Sequence, residues 1–161
     1  MVIEDKMNAG YWIRKLRLKP HPEGGYFRET FRAKGKIKAL ARDYSTAIYF
    51  LLEKGKKSRF HILKSDELWF FHTGGRVRLY LLGGTGKMKI NYLGPENLQA
   101  VIPAGTWFAA EVTKGAFALV SCVVSPGFDF RDFRLGIREE LTRKFPRYES
   151  IIRIFTILAE S

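Results

Sequence analysis

Residues 55–75 read GKKSRFHILKSDELWFFHTGG, a stretch in which His61 and Glu67 lie among apolar residues between glycines. Side chains of a β-strand alternate between two faces, and the turn after His61 returns the chain as a second strand. Glu67, Trp69 and Phe71 then share one face of that second strand. If this face points into a barrel, Glu67 approaches His61 in a cavity walled by the two aromatic rings.

The same pattern continues on both sides of this segment. From about residue 24 to residue 124, short stretches rich in β-branched and aromatic residues alternate with glycine, proline and charged turns. We predict strands at residues 26–32, 45–52, 59–63, 67–73, 76–82, 88–93, 99–102, 106–112 and 117–124. Short strands at this spacing predict an all-β antiparallel sandwich or barrel.

Helical patterns flank the strands. Asn8 can cap a short N-terminal helix, which the prolines at positions 20 and 22 prevent from continuing. After the strands, apolar residues recur near helical spacing from Leu135 through Phe145, and again beyond Pro146. We therefore predict one or two C-terminal helices over about residues 135–159. Their apolar faces would cover either the outside of the barrel or a second subunit.

Length and composition predict one globular domain, residues 1–161. The chain is 46% hydrophobic and 14% aromatic, which is too apolar for a disordered protein. The N-terminus has no signal-peptide core, and no apolar run approaches the roughly 20 residues that span a bilayer. We expect a soluble cytoplasmic protein that does not enter the membrane. The single cysteine, Cys122, lies in an apolar run and is expected to be a core residue.

The net charge of +12 raises the question of a nucleic-acid partner. The basic residues are scattered through several segments instead of forming one patch, so we expect solvated surfaces and no nucleic-acid binding. Glutamine occurs once and asparagine three times, while lysine and glutamate are plentiful. This composition is typical of a thermophile.

Several motifs resemble the cupin barrels. Gly55, His61, Glu67 and Gly74 match the spacing of the first cupin signature, and Pro103-Ala104-Gly105 resembles the start of the second. More narrowly, HPEGGYFRE (21–29), SRFHILKSDELW (58–69), VIPAGTWFA (101–109) and SPGFDFRDF (125–133) resemble the domain-of-unknown-function 985 family, also known as cupin-5. The resemblance implies a double-stranded β-helix, usually dimeric, with a ligand pocket in the barrel mouth and no agreed reaction.

The resemblance also bears on metal binding. Two of the four positions that hold metal ligands in other cupins carry Leu63 and Phe108, which have no lone pair to donate. A transition metal normally takes at least three protein ligands. We therefore expect no metal cofactor; a divalent metal would need a further ligand such as Gln99 or Glu111.

His61 and Glu67 are expected to point into the same cavity from neighbouring strands, so we take them as a candidate acid/base pair. Burial and mutual attraction shift the proton affinities of both groups. A structural ion pair fits the same pattern. Some cupin sugar epimerases use a histidine base and a tyrosine acid. By analogy with them, Tyr26 and Tyr49 are candidate acids.

Further residues are expected to contact a ligand. Glu23 belongs to a proline- and glycine-containing loop that can fold across a cavity, and Phe128 can cover its opening. Trp107 could stack on a ligand as an aromatic platform or pack in the core. Gln99 could reach a polar group of the ligand or lie in solvent. The predicted ligand-binding residues are Glu23, Ser58, Trp69, Phe71, Gln99, Trp107, Phe108 and Phe128.

These observations predict a cupin that binds a small molecule in the barrel mouth, as a metal-independent isomerase or epimerase of a sugar-like substrate. Two alternatives stay open: a metal-dependent enzyme, such as a dioxygenase with atypical ligands, and a binding or sensing module without chemistry. Apolar edge strands and the amphipathic C-terminal helices also predict a homodimer.

Overall fold

Two antiparallel β-sheets form the frame of the computed structural model, which describes residues 7–158. The strands are β1 (Lys19–Pro20), β2 (Tyr26–Arg32), β3 (Lys36–Ile37), β4 (Arg42–Asp43), β5 (Thr46–Glu53), β6 (Lys57–Ile62), β7 (Asp66–Gly74), β8 (Val77–Leu82), β9 (Met88–Leu93), β10 (Gln99–Ile102), β11 (Trp107–Val112), β12 (Phe117–Ser125) and β13 (Arg134–Leu135). The first sheet has the order β1-β2-β5-β12-β7-β10 and the second β13-β6-β11-β8-β9, while β3 and β4 form a small ribbon. The predicted all-β double-stranded β-helix is confirmed.

The predicted strands lie within two residues of the observed ones at every end. The sequence pattern missed four two-residue strands, β1, β3, β4 and β13, which are too short to show alternation. One of them corrects the predicted start of the C-terminal helices. Leu135 pairs with His61 of β6, so this part of the chain is extended. The first C-terminal helix therefore begins at Arg138, and residue 159 lies outside the described range.

The N-terminal helix, α1 (Ala9–Lys15), begins as predicted at Asn8, whose side-chain oxygen accepts a hydrogen bond from the Tyr11 backbone N–H at 2.9 Å. The helix lies on the outer face of the first sheet. Its apolar side packs on buried residues of β5 and β12, among them Leu51 and Leu119. This covers a surface that would otherwise expose a row of leucine side chains.

Two helices follow the last strand, α2 (Arg138–Lys144) and α3 (Glu149–Ile154). Leu141 and Ile152 are fully buried against the outer face of the second sheet, where they meet Phe60 and Trp107. The apolar faces of both helices thus cover the barrel of their own chain. The homodimer stays a prediction, based on the edge strands alone. None of the helices within residues 7–158 is long and apolar enough to cross a membrane.

The space between the sheets is filled at one end and open at the other. Along β12, Ala118 and Val120 belong to the apolar core, whereas Val124 lines a cavity. The mouth segment, residues 126–133, runs over the open end. It is fixed to the barrel by a hydrogen bond from the Phe128 backbone N–H to Thr46 Oγ1 at 2.9 Å, and by an ion pair between Arg42 and Asp132 at 2.6 Å.

Candidate functional site

A cavity of about 360 Å³ opens between the two sheets at the mouth segment. Its inner polar side chains come from separate parts of the chain: the loop before β2, strand β6 and strand β7. His21, Glu23, His61 and Glu67 form its inner polar cluster, and Glu29, Arg32 and Asp129 lie among the other lining residues. Aromatic walls surround them, made by Phe27, Phe50, Trp69, Phe128, Phe130 and Phe133. The cavity combines a small acid–base cluster with apolar walls, which is typical of a small-molecule site.

Glu23 and His61 form a buried ion pair. Glu23 Oε2 lies 3.0 Å from His61 Nε2, and Glu23 Oε1 accepts a hydrogen bond from the Ser58 hydroxyl at 2.8 Å. His61 Nδ1 lies 2.7 Å from the Arg59 carbonyl oxygen, which can only accept. Nδ1 therefore carries a proton, and Nε2 donates a second one to Glu23. Both ring nitrogens are engaged, so His61 is held as an imidazolium.

The charge of this pair follows from two opposing effects. Burial raises the pKa of the Glu23 carboxyl, but the charge and hydrogen bond of His61 outweigh it, and the pKa ends below its usual value. Burial lowers the pKa of His61, but Glu23 outweighs this effect too, and the pKa ends above its usual value. Glu23 is therefore a carboxylate and His61 a cation near neutral pH.

Backbone packing explains why Glu23 reaches this position. The Glu23 carbonyl accepts a hydrogen bond from the Arg59 N–H at 2.8 Å, which fixes the loop against β6. Gly24 has a φ of 109°, and a Cβ at this residue would lie 2.0 Å from the Lys57 carbonyl oxygen. Only glycine allows this close approach. The glycine of the HPEGG motif thus allows the loop to place Glu23 beside His61.

Glu67 is buried in the same cavity without an ion-pair partner of its own among the described residues. Its Oε1 accepts a hydrogen bond from the Trp69 indole N–H at 2.9 Å. Burial raises the pKa of Glu67 to about 7, although the positive charge of His61 opposes the shift. The carboxyl therefore gains and loses a proton near neutral pH, which suits a general acid or base.

Cys122 lies beside Glu67 in the cavity wall. Burial raises the pKa of the Cys122 thiol well above its usual value, and the neighbouring Glu67 and Glu23 charges raise it further. The thiol therefore stays protonated near neutral pH. It is a poor nucleophile at this position, because the thiolate is the reactive form.

His21 is a cavity residue that sequence reasoning missed. Its Nδ1 accepts a hydrogen bond from the Glu23 backbone N–H at 3.2 Å. A backbone N–H can only donate, so Nδ1 is unprotonated and the proton of the neutral ring lies on Nε2. Burial also lowers the pKa of His21. The motif HPEGG carried the signal, since His21 stands two residues before a predicted site residue.

The structure corrects the predicted pairing of His61 with Glu67. Both residues line the cavity, but the ion pair of His61 is with Glu23. The reason is topological: β6 belongs to the second sheet and β7 to the first, so consecutive strands face each other across the interior. The loop before β2 supplies the closer carboxylate.

The predicted ligand-binding residues divide into three groups. Glu23, Trp69 and Phe128 line the cavity. Ser58 and Phe108 support it from behind, Ser58 through Glu23 and Phe108 through its ring, whose centroid lies 4.0 Å from that of His61.

The remaining three lie elsewhere. Phe71 packs against the core, Trp107 is buried under the C-terminal helices, and Gln99 is exposed on edge strand β10. Trp107 lies on the outer face of β11 because it alternates with Phe108, which points inward.

The two candidate tyrosine acids also lie outside the cavity. Tyr26 and Tyr49 pack near α1 on the outer face of the first sheet. Their strand neighbours Phe27 and Phe50 point inward and line the cavity, so strict alternation places both tyrosines on the opposite face. The same alternation identifies Phe27 and Glu29 of β2 as cavity residues, which the sequence interpretation did not select.

The donor arrangement does not fit a transition metal. Leu63 and Phe108 stand at two of the positions that hold ligands in other cupins, and both nitrogens of His61 are already engaged by Arg59 and Glu23. Within residues 7–158, no three histidine, cysteine, aspartate or glutamate side chains are arranged to hold a metal ion. A metal would have to break the buried ion pair to bind His61.

We therefore expect added Mn²⁺, Fe²⁺, Zn²⁺ or Ni²⁺ to leave the thermal midpoint unchanged, because an ion that does not bind the native state cannot stabilise it. Differential scanning calorimetry on protein purified without a histidine tag, with and without each ion, measures this. A metal-dependent rise of several degrees that is lost in the His61→Ala variant would contradict the assignment.

Comparisons with known proteins agree with this fold. The family model described as Cupin superfamily (DUF985) matches residues 10–136. The structure of protein SO0799 from Shewanella oneidensis is 34% identical, with a TM-score of 0.89 over 94% of this chain and 99% of that chain. A hypothetical protein from Leishmania major is 31% identical, with a TM-score of 0.86 over 93% of this chain and 99% of that chain.

A further relative comes from yeast. The uncharacterized protein YML079W of Saccharomyces cerevisiae is 30% identical over 74% of this chain and 71% of its own length. The barrel and its cavity define a cupin. Within that superfamily, the chain belongs to the DUF985 family, as the four sequence motifs indicated.

Proposed function

We propose that the protein is a metal-independent isomerase or epimerase, which binds a small sugar-like molecule in the cavity and moves a proton on it through Glu67. The observation that carries this proposal is the contrast between two buried carboxyls. Glu23 is fixed in an ion pair with His61 at 3.0 Å, whereas Glu67 has no such partner among the described residues and a pKa of about 7.

The proposed chemistry is proton transfer next to a carbonyl group. As a carboxylate, Glu67 accepts a proton from the carbon beside the carbonyl, and the pair of electrons moves to the carbonyl oxygen. As a carboxylic acid, it returns the proton to the neighbouring carbon on the same face, while the hydroxyl proton on the first carbon passes to the former carbonyl oxygen. Return to the other face of the same carbon, which gives the epimer, requires the enediolate to turn over in the cavity. A group with a pKa near the working pH serves both steps.

Two further residues support the negative charge that develops on the oxygen. His21 is neutral and carries its proton on Nε2, which is available to donate a hydrogen bond into the cavity. His61 acts through its positive charge, because both of its N–H groups already donate to protein atoms. Charges and dipoles fixed before the reaction stabilise the transition state in a water-poor site. This assignment replaces the tyrosine acid, since Tyr26 and Tyr49 lie outside the cavity.

A binding or sensing module is the second candidate. The observation that favours it is the complete internal pairing of the Glu23, His61 and Ser58 side chains, which is typical of a structural cluster. In that case a ligand occupies the cavity without losing or gaining a proton. Binding with and without isotope exchange therefore separates the two candidates.

The test is incubation of the protein with monosaccharides in D₂O, followed by NMR detection of deuterium at the carbon beside the carbonyl. Wild-type protein is expected to exchange at least one sugar, and Glu67→Gln to lower the rate by about 10²–10⁴-fold. Glu96→Gln is the matched control, because Glu96 is exposed and pairs only with Arg76 on the surface. Equal rates in wild type and Glu67→Gln, or no exchange on any sugar, would refute the proposal.

A further inference from the structure

The charges around the cavity define the class of substrate that it accepts. Resting on the proposed function, we infer that the cavity takes an uncharged sugar of single-ring size and rejects sugars that carry a phosphate or carboxylate. The inference follows from the state of each cation that lines the cavity, from the excess of acidic groups, and from the volume.

Arg32 is the guanidinium at the cavity mouth, and all of its donors are in use. Its Nε and one terminal nitrogen donate to the Glu29 carboxylate, both at 2.8 Å. The other terminal nitrogen donates to Asp43 at 2.8 Å, and both terminal nitrogens donate to the Phe128 carbonyl at 3.2 Å. These contacts engage the five N–H groups of a guanidinium. Arg32 is left without a donor for an anionic ligand.

His61, the other positive group, also has no free hydrogen-bond donor. His61 donates to Glu23 and Arg59, and His21 is neutral because its Nδ1 accepts a backbone N–H. No cation with a free donor lines the cavity within the described part of the chain. A phosphate or carboxylate brought into this site would lose its hydration without gaining a charged partner, which is strongly unfavourable.

Acidic groups outnumber cations in the cavity wall. Four carboxyl side chains line it, Glu23, Glu29, Glu67 and Asp129, against the cations Arg32 and His61. The net charge of +12 therefore belongs to the outer surface and does not describe the site. An anion attracted by the surface would be repelled at the mouth.

The remaining features fit a neutral ring that bears hydroxyl groups. The cavity of about 360 Å³ holds roughly a dozen water molecules, which is enough space for a monosaccharide. Phe128, Phe130 and Phe133 line the cavity with aromatic rings, and the C–H side of a sugar can pack on such apolar surface. His21 Nε2–H and the Glu67 oxygen that does not accept from Trp69 supply one donor and one acceptor for hydroxyl groups.

The experiment compares matched pairs. Hexoses, pentoses and 6-deoxyhexoses are each presented as the free sugar and as its phosphate, and binding is measured by saturation-transfer NMR with titration. At least one free sugar is expected to bind at least tenfold more tightly than its phosphate. Equal or tighter binding of the phosphates would overturn the inference, and so would the failure of every free sugar to bind.

A variant tests the mechanism of discrimination. Glu29→Gln removes one of the two carboxylates paired with Arg32, so the guanidinium keeps only Asp43 as a counter-ion and part of its positive charge faces the mouth. We expect phosphorylated sugars to gain about tenfold in affinity in this variant, while Glu96→Gln leaves the preference unchanged. An unaltered preference in Glu29→Gln would show that Arg32 does not set the selectivity.

Measuring isotope exchange together with binding shows whether the substrate class or the isomerase activity is wrong. A free sugar that binds without exchanging a proton in D₂O sustains the substrate class and refutes the isomerase. A sugar phosphate that exchanges sustains the isomerase and refutes the substrate class.

Discussion

At about pH 5.5, replacing Glu23 by alanine is expected to lower the free energy of unfolding by about 3–5 kcal/mol. The variant leaves His61 buried at 2% exposure without its counter-ion, and it leaves the Ser58 hydroxyl without an acceptor. Breaking a buried pair by removing one partner costs more than the pair itself contributes, because the remaining charge stays desolvated. The loss is measured by urea unfolding, with Glu96→Ala as the exposed control.

The pH dependence of this loss has a defined sign. The pKa of Glu23 is lowered, so its contribution to stability is lost as pH falls through the folded value, below 4.5. The pKa of His61 is raised, so its contribution is complete below 6.5 and is lost as pH rises through the folded value. The pair therefore stabilises the wild type most between these limits. The difference between wild type and Glu23→Ala should shrink at higher pH, where His61 becomes neutral in the variant.

Glu23→Gln separates charge from packing. Glutamine keeps the side-chain size and an oxygen that can accept from Ser58, but it removes the negative charge beside His61. The NMR titration of the His61 ring should then move to lower pH in both variants, because burial is no longer opposed by Glu23. A loss below 1 kcal/mol in Glu23→Ala, or an unshifted His61 titration, would mean that the ion pair does not form in solution.

The local sequence pattern was sufficient to predict the strands and some of the residues that line the cavity. Alternation along residues 67–71 placed Glu67 and Trp69 on the cavity side, and both line the cavity. The composition of the HPEGG loop pointed to Glu23 as a pocket or rim residue, and Glu23 lines the cavity. Each of these inferences needs only the period of a strand or the flexibility of glycine.

The partnerships inside the cavity depend on topology, which local pattern does not contain. Glu67 faces His61 from the opposite sheet, while Glu23 reaches it from a loop 38 positions earlier in the chain. The contact between Arg32 and the Phe128 carbonyl joins residues 96 positions apart. The two tyrosines are a different case, because alternation from Phe27 and Phe50 would have excluded them.

Glu67→Gln is expected to raise the free energy of unfolding by about 3 kcal/mol near pH 8.5 and to leave it unchanged near pH 4. The pKa of Glu67 is raised from 4.5 to about 7 in the folded protein, mainly by burial. Between those values the unfolded chain releases its proton first, so wild-type stability falls as pH rises. The difference of about 2.5 pH units corresponds to about 3 kcal/mol at 1.36 kcal/mol per unit. Glutamine keeps the acceptor for Trp69 and has no proton to lose.

Unfolding curves at several pH values measure this effect, and infrared difference spectra identify the group that titrates. A protonated carboxyl band should disappear with a midpoint near pH 7 in the wild type and in Glu96→Gln, and be missing from Glu67→Gln. The rate of proton exchange with a bound sugar should follow the same midpoint, because the carboxylate form is the base. A stability difference that does not change between pH 4 and pH 8.5 would show that Glu67 ionises normally. It would then have no special fitness for proton transfer, and the cavity would act only as a binding site.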